Sequence, residues 1–122
     1  MNKDKGYVYL IGEWSNDKNH YKIGVTGGAI ESRMKKLQTG NSNELAIVKY
    51  FQTKDYFKLE KLLHNHYFKN KIINEWFDLN DDEVKSFLSV CENYQKTIDY
   101  LLENNYFYKN NDNGKINFNF RT

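Results

Sequence analysis

The chain has no proline and a single cysteine, Cys91, in 122 residues. One thiol excludes an intrachain disulfide and a thiolate metal cluster, and it fits a reducing compartment. Long apolar runs are also missing, since none approaches the roughly 20 residues that span a bilayer. The opening "MNKDKGYVYLIGEW" lacks the apolar stretch of a signal peptide. The expectation is a cytoplasmic protein, neither exported nor embedded. Nor is there a large excess of one charge: 18 Lys and Arg face 16 Asp and Glu, for a formal net charge of +2. That balance alone does not argue for a nucleic-acid partner, so the placement of charge has to decide.

Basic residues gather in "YKIGV", "ESRMKKLQ" and "FKLEKLLHNHYFKNKI", whereas "FDLNDDEVKSFLSVCE" is acidic. One part of the surface is therefore suited to phosphates, although solvated helix faces would give the same pattern. At this length one domain is expected, large enough to bury a core without staples.

Gly6 to Trp14 is aromatic and β-branched and reads as a strand, and "SNDKNH" leads to a second strand from Tyr21 to Thr26. Gly27 and Gly28 break it. A helix follows in "AIESRMKKLQTG", with Ile30, Met34 and Leu37 at helical spacing, Arg33 at the border of that stripe and Gly40 placed as a stop. "ELAIVKYFQT" alternates as a third strand.

Asp55 is a candidate N-cap for a helix on which Tyr56, Leu59, Leu63 and Tyr67 share a face. Glu60 and His64, at i and i+4, project along one flank of it. "INEWFDL" is a short strand or extended segment, and from Asp81 a longer helix runs to about Glu103 with Val84, Phe87, Leu88, Cys91, Tyr94 and Ile98 in a stripe. The tail "YFYKNNDNGKINFNF" carries a hairpin signal around Asn-Gly, able to pair with its own sheet or another chain.

Taken in order, "GYVYLI", "YKIGVT", an arginine on a helix, "KLEKLLHNHYF" and "NEWFDL" resemble the GIY-YIG nuclease superfamily, and within it the small T5orf172, or meiotically up-regulated gene 113, branch. The resemblance covers roughly Gly6 to Leu79. It implies an α+β fold, a three-stranded antiparallel sheet flanked by helices, one divalent metal ion and hydrolysis of a DNA phosphodiester. Residues 1–80 would form the nuclease-like core and residues 81–122 a C-terminal helix and hairpin extension of the same domain. The richness in Lys, Asn, Ile and Tyr is in keeping with a phage or low-GC bacterial source, in which case the compartment is the host cytoplasm.

The same resemblance implies site residues. Tyr9 takes the place of the first motif's tyrosine, and Lys22 in "KIG" stands where the second motif has its tyrosine, a substitution common in this branch. Tyr21 lies one residue earlier, so its side chain points to the opposite face and cannot replace it. Arg33 matches the helix arginine, Glu60 the metal-binding carboxylate, and Glu75 in "NEWF" is typical of the branch.

Physical roles follow. A phenol ionises near pH 10, so Tyr9 as general base needs about 3 to 4 kcal/mol of electrostatic help. Lys22 beside it on the strand is expected to supply that help. Arg33 offers a planar fork for a phosphate oxygen. Glu60 would hold one Mg²⁺ or Mn²⁺ that keeps most of its waters, and His64 would shuttle a proton or donate to phosphate. Only one well-placed carboxylate is found along the motif-bearing elements, which favours one metal over two.

"HNH" at His64 to His66 is not the unrelated nuclease motif of that name: two residues apart on a helix, the two rings diverge. His66 is expected to be structural, His20 an exposed loop residue, Cys91 a buried apolar one, and Trp76 and Phe77 core. Two rivals to the nuclease stay open: a binding module of the same fold that has lost cleavage, and a phage protein that captures a host partner through the tail hairpin. In the nuclease reading the third helix and tail hairpin are accessories able to bind substrate or make a homodimer. No appended reading arm sets a strand form or sequence for the DNA.

Overall fold

The computed structural model describes residues 6–14, 20–41 and 43–104. The expected tail hairpin, residues 106–120, lies outside them, as does the connection at residues 15–19.

Strand β1 (Tyr7–Trp14) is central, with β2 (His20–Thr26) on one side and β3 (Glu44–Gln52) on the other, both antiparallel to it. Its sequence "YVYLI" is apolar throughout because both faces of the sheet are covered. Val8 and Leu10 enter one core with Leu59, Leu62, Leu63, Phe87, Cys91 and Ile98. Tyr9 and Ile11 enter a second, smaller core with Leu45, against which Met34 and Leu37 pack.

Helix α1 (Ile30–Thr39) therefore covers the Tyr9 face, while α2 (Tyr56–His66) and α4 (Phe87–Asn104) cover the other. Between α2 and α4 run the short strands β4 (Lys71–Ile73) and β5 (Trp76–Asp78) and the short helix α3 (Asp81–Lys85).

The sheet has five strands, in the order β3-β1-β2-β5-β4, not the three expected. Strands β4 and β5 meet across the two-residue turn Asn74-Glu75, in which Asn74 adopts φ 52°. Asparagine tolerates that left-handed conformation because its short polar side chain bonds locally. Strand β5 then adds to the edge of β2 over His20 to Lys22 only. The α+β class stands; β5 falls within "INEWFDL", read as a short strand or extended segment, whereas β4 escaped the pattern because it is three residues long and exposed.

The long C-terminal helix is two helices parted at Ser86, whose hydroxyl turns back to the Glu83 carbonyl at 3.3 Å. Asn80 and Glu83 form a reciprocal capping box at the start of α3. Phe87, Cys91 and Ile98 are at most 1% exposed and belong to the same core as the strands. Asp55 caps α2 by position, but its carboxylate is used elsewhere, accepting from Gln95 Nε2 at 2.8 Å. Gly40 follows α1 with φ −93°, so its helix-stopping place makes no use of glycine's left-handed freedom.

Candidate active site

Past Lys22, the outer edge of β2 loses its neighbour, because β5 turns away at Glu75. That leaves the backbone of Ile23 facing a notch. Its N–H donates to the Glu75 carbonyl at 3.1 Å, and its carbonyl accepts from His64 Nε2 at 2.9 Å. A carbonyl only accepts, so His64 carries a proton on Nε2. In this way one strand residue fastens both the β4–β5 turn and helix α2.

The notch opens into a cavity of about 730 Å³ lined by Lys22, Glu60, Lys61, His64, Asn74, Glu75 and Trp76. Glu60 Oε2 lies 3.7 Å from His64 Nε2, the i,i+4 neighbour expected from the helix. Burial, and then the charge of Glu75, push the Glu60 carboxyl up to about 7, against the pull of Lys22.

Lys22, Gly24 and Thr26 alternate on the face of β2 that Tyr9 shares, since Tyr9 pairs with Gly24 and Lys22 with Ile11. A side chain on Gly24 would put its Cβ 2.6 Å from the Tyr9 hydroxyl, so the phenol lies across bare backbone there. Tyr9 is 2% exposed. Beyond it, Thr26, Gly28, Ala29, Ser32, Arg33 and Lys36 line a smaller cavity of about 260 Å³. The phenol thus sits between two polar hollows, spaced along a strand segment of about 13 Å at roughly 3.3 Å per residue.

The expected pairing of Lys22 with Tyr9 is corrected by this geometry. The Lys22 ammonium goes to Glu75 Oε1 at 2.7 Å and lies 5.8 Å from the centre of the Trp76 ring. The cation that favours the Tyr9 phenolate is Arg33, and it is outweighed: burial, with Glu75 and Glu60 adding to it, pushes Tyr9 up to about 12. The free protein holds Tyr9 protonated. Arg33 is exposed and makes no hydrogen bond or ion pair with a described side chain.

The donor set fits a hard divalent cation. Glu60 is a carboxylate whose ionised form is disfavoured by burial and by the opposing Glu75, with Lys22 offsetting only part of that. Among the described residues no group of three or more His, Cys, Asp or Glu is arranged to hold a metal, so an ion on Glu60 would have to keep most of its water shell, as Mg²⁺ can.

The other sequence-level assignments divide. His66 is structural, its Nδ1 3.0 Å from the Tyr94 hydroxyl. His20 is half-buried against Glu13, with Nδ1 3.6 Å from Oε1. Phe77 and Cys91 are fully buried, and burial holds the Cys91 thiol up at about 12. Trp76 departs from expectation: it packs on the smaller core but also walls the cavity. The sequence signal for that was the tripeptide Asn74-Glu75-Trp76 itself, whose turn places all three residues on the cavity.

The T5orf172 domain family model matches residues 6–92. The chain belongs to that family, a branch of the GIY-YIG-like nucleases, and is a nuclease-like or DNA-binding module. The match reaches past Leu79 into α4, in keeping with the place of Phe87 and Cys91 in the core. No curated protein and no solved structure matches the chain. Among the described residues, no helix is long and apolar enough to cross a membrane.

Proposed function

We propose that the protein is a metal-dependent endonuclease that hydrolyses DNA phosphodiesters, with one Mg²⁺ or Mn²⁺ per site. The observation that carries this reading is that Lys22, Glu60 and His64 line one hollow and Arg33 the other, with Tyr9 on the strand face between them. A nucleic-acid strand laid along β2 from the Arg33 hollow to the larger cavity passes over the Tyr9 hydroxyl.

In this reading Arg33 forks a non-bridging phosphate oxygen, and Lys22 faces the phosphate from the other hollow. Tyr9 takes the proton of the attacking water. At a pKa of about 12 the phenol is ionised in only about one molecule in 10⁵ at neutral pH, so the resting enzyme is held off, chiefly by burial and to a smaller extent by Glu75 and Glu60. Glu60 is the residue that would hold a divalent cation, which would offset the charge of the two carboxylates and supply Lewis-acid chemistry toward the phosphate. His64 fixes the helix that carries Glu60 to the strand beside Tyr9.

Tyr9→Phe tests the base role: turnover is expected to fall by about 10² or more with DNA binding kept, and unchanged turnover removes the assignment. The protonated Tyr9 favours a second reading, a nucleic-acid-binding module without cleavage. It expects salt-sensitive DNA binding and no products with any metal.

A further inference from the structure

A second carboxylate stands in the larger cavity without a task in the reading above. Glu75 occupies the tight β4–β5 turn after Asn74, its backbone held by the Ile23 N–H, so the side chain springs from a fixed base. One oxygen, Oε1, takes the Lys22 ammonium at 2.7 Å; Oε2 has no partner among the described residues, and the side chain is 44% exposed. Glu60 faces the same cavity from α2, so both carboxylates and Lys22 line one hollow.

Two carboxylates thus face one cavity, and the one ammonium there pairs with Glu75. The Lys22 side chain is 15% exposed, and its ammonium already rests against an alternative surface, the Trp76 ring at 5.8 Å. A cation–π contact there retains part of the interaction that Lys22 would give up on leaving Glu75. Hard divalent cations such as Mg²⁺ commonly take one or two carboxylates and fill the remaining positions with water.

Resting on the nuclease reading, we propose that Glu75 joins Glu60 in a two-carboxylate site for a hard divalent cation, and that Lys22 is the resident counter-ion which the cation displaces from Glu75. The free protein then keeps its site neutralised by its own lysine, and metal entry releases that ammonium toward bound phosphate.

The test is Mn²⁺ binding to the full chain without DNA, followed by electron paramagnetic resonance and calorimetry. Wild type is compared with Glu60→Gln, Glu75→Gln and Lys22→Met, with folding checked by circular dichroism. Each glutamine variant is expected to weaken Mn²⁺ by about tenfold or more, on the scale seen when metal-site partners are removed. Lys22→Met is expected to tighten it severalfold. Wild-type affinity in Glu75→Gln, or no tightening in Lys22→Met, overturns the proposal. Because no DNA is present, a chain that binds Mn²⁺ through both carboxylates yet cuts nothing supports this inference and removes the nuclease reading.

Discussion

His64 and Ile23 lie 41 residues apart in sequence and are joined by a 2.9 Å hydrogen bond from the imidazole Nε2–H to the strand carbonyl. The bond satisfies a carbonyl that β5 leaves behind when it turns away at Glu75, and it draws α2, with Glu60, against the edge of β2. An unpaired carbonyl at that depth costs about 1 to 3 kcal/mol.

His64→Ala is accordingly expected to lower stability by about 1 to 2 kcal/mol in urea unfolding, and His64→Gln, which keeps a donor, to lose less. Equal losses in the two variants would show that the hydrogen bond is not what holds the helix.

Glu60 makes stability depend on pH in a direction opposite to that of a paired carboxylate. Its folded value, about 7, lies above the ordinary 4.5. Between those values the folded state binds more protons than the unfolded one, so stability is greatest below about pH 4.5 and falls as pH rises through 7. In EDTA, Glu60→Gln is expected to melt with wild type at pH 4.5 and to be more stable by about 1 to 3 kcal/mol at pH 8. Parallel melting curves across that range would contradict the buried carboxylate.

Arg33 is exposed and without a described partner, so Arg33→Ala is expected to change stability by less than about 0.5 kcal/mol. Its loss should nonetheless lower cleavage by about 10² or more and push Tyr9 still higher, since Arg33 is the charge that favours the phenolate. Carbon-13 NMR of the tyrosine Cζ, assigned with Tyr9→Phe, reads this directly. Ionisation of Tyr9 below pH 10 in either protein would contradict the site's electrostatics.

Gly24→Ala places a methyl within 2.6 Å of the Tyr9 hydroxyl. The phenol has to move, which is expected to cost about 1 to 3 kcal/mol of stability and most of the turnover. Full activity in this variant would mean that the resting position of Tyr9 is not the working one.

How much of this was readable in the chain follows from where the information lies. The β1 and β2 strands, α1 and α2 are written in local periodicity, and Glu60 beside His64 follows from helical spacing alone. Tyr9, Arg33 and Glu60 were reached through motif resemblance, because no local pattern places Tyr9 between the two hollows that Arg33 and Glu60 line.

The Lys22 partner was not legible. On the strand it is a neighbour of the Tyr9 position, but its ammonium goes where a turn 53 residues later places Glu75. Strand β4 was missed for a related reason: "KII" is too short to show alternation and exposes every residue, so only the Asn74 turn reveals it. Trp76 read as core because its composition is apolar; its second role arises from the cavity edge it happens to border.

The most direct measurement is incubation of the purified protein with labelled single-stranded, duplex and branched DNA in Mg²⁺, Mn²⁺ or EDTA, beside Glu60→Ala. The account predicts cleavage of at least one DNA form that requires the metal and vanishes in Glu60→Ala. Binding without cleavage in every condition, or an active Glu60→Ala protein, would contradict it.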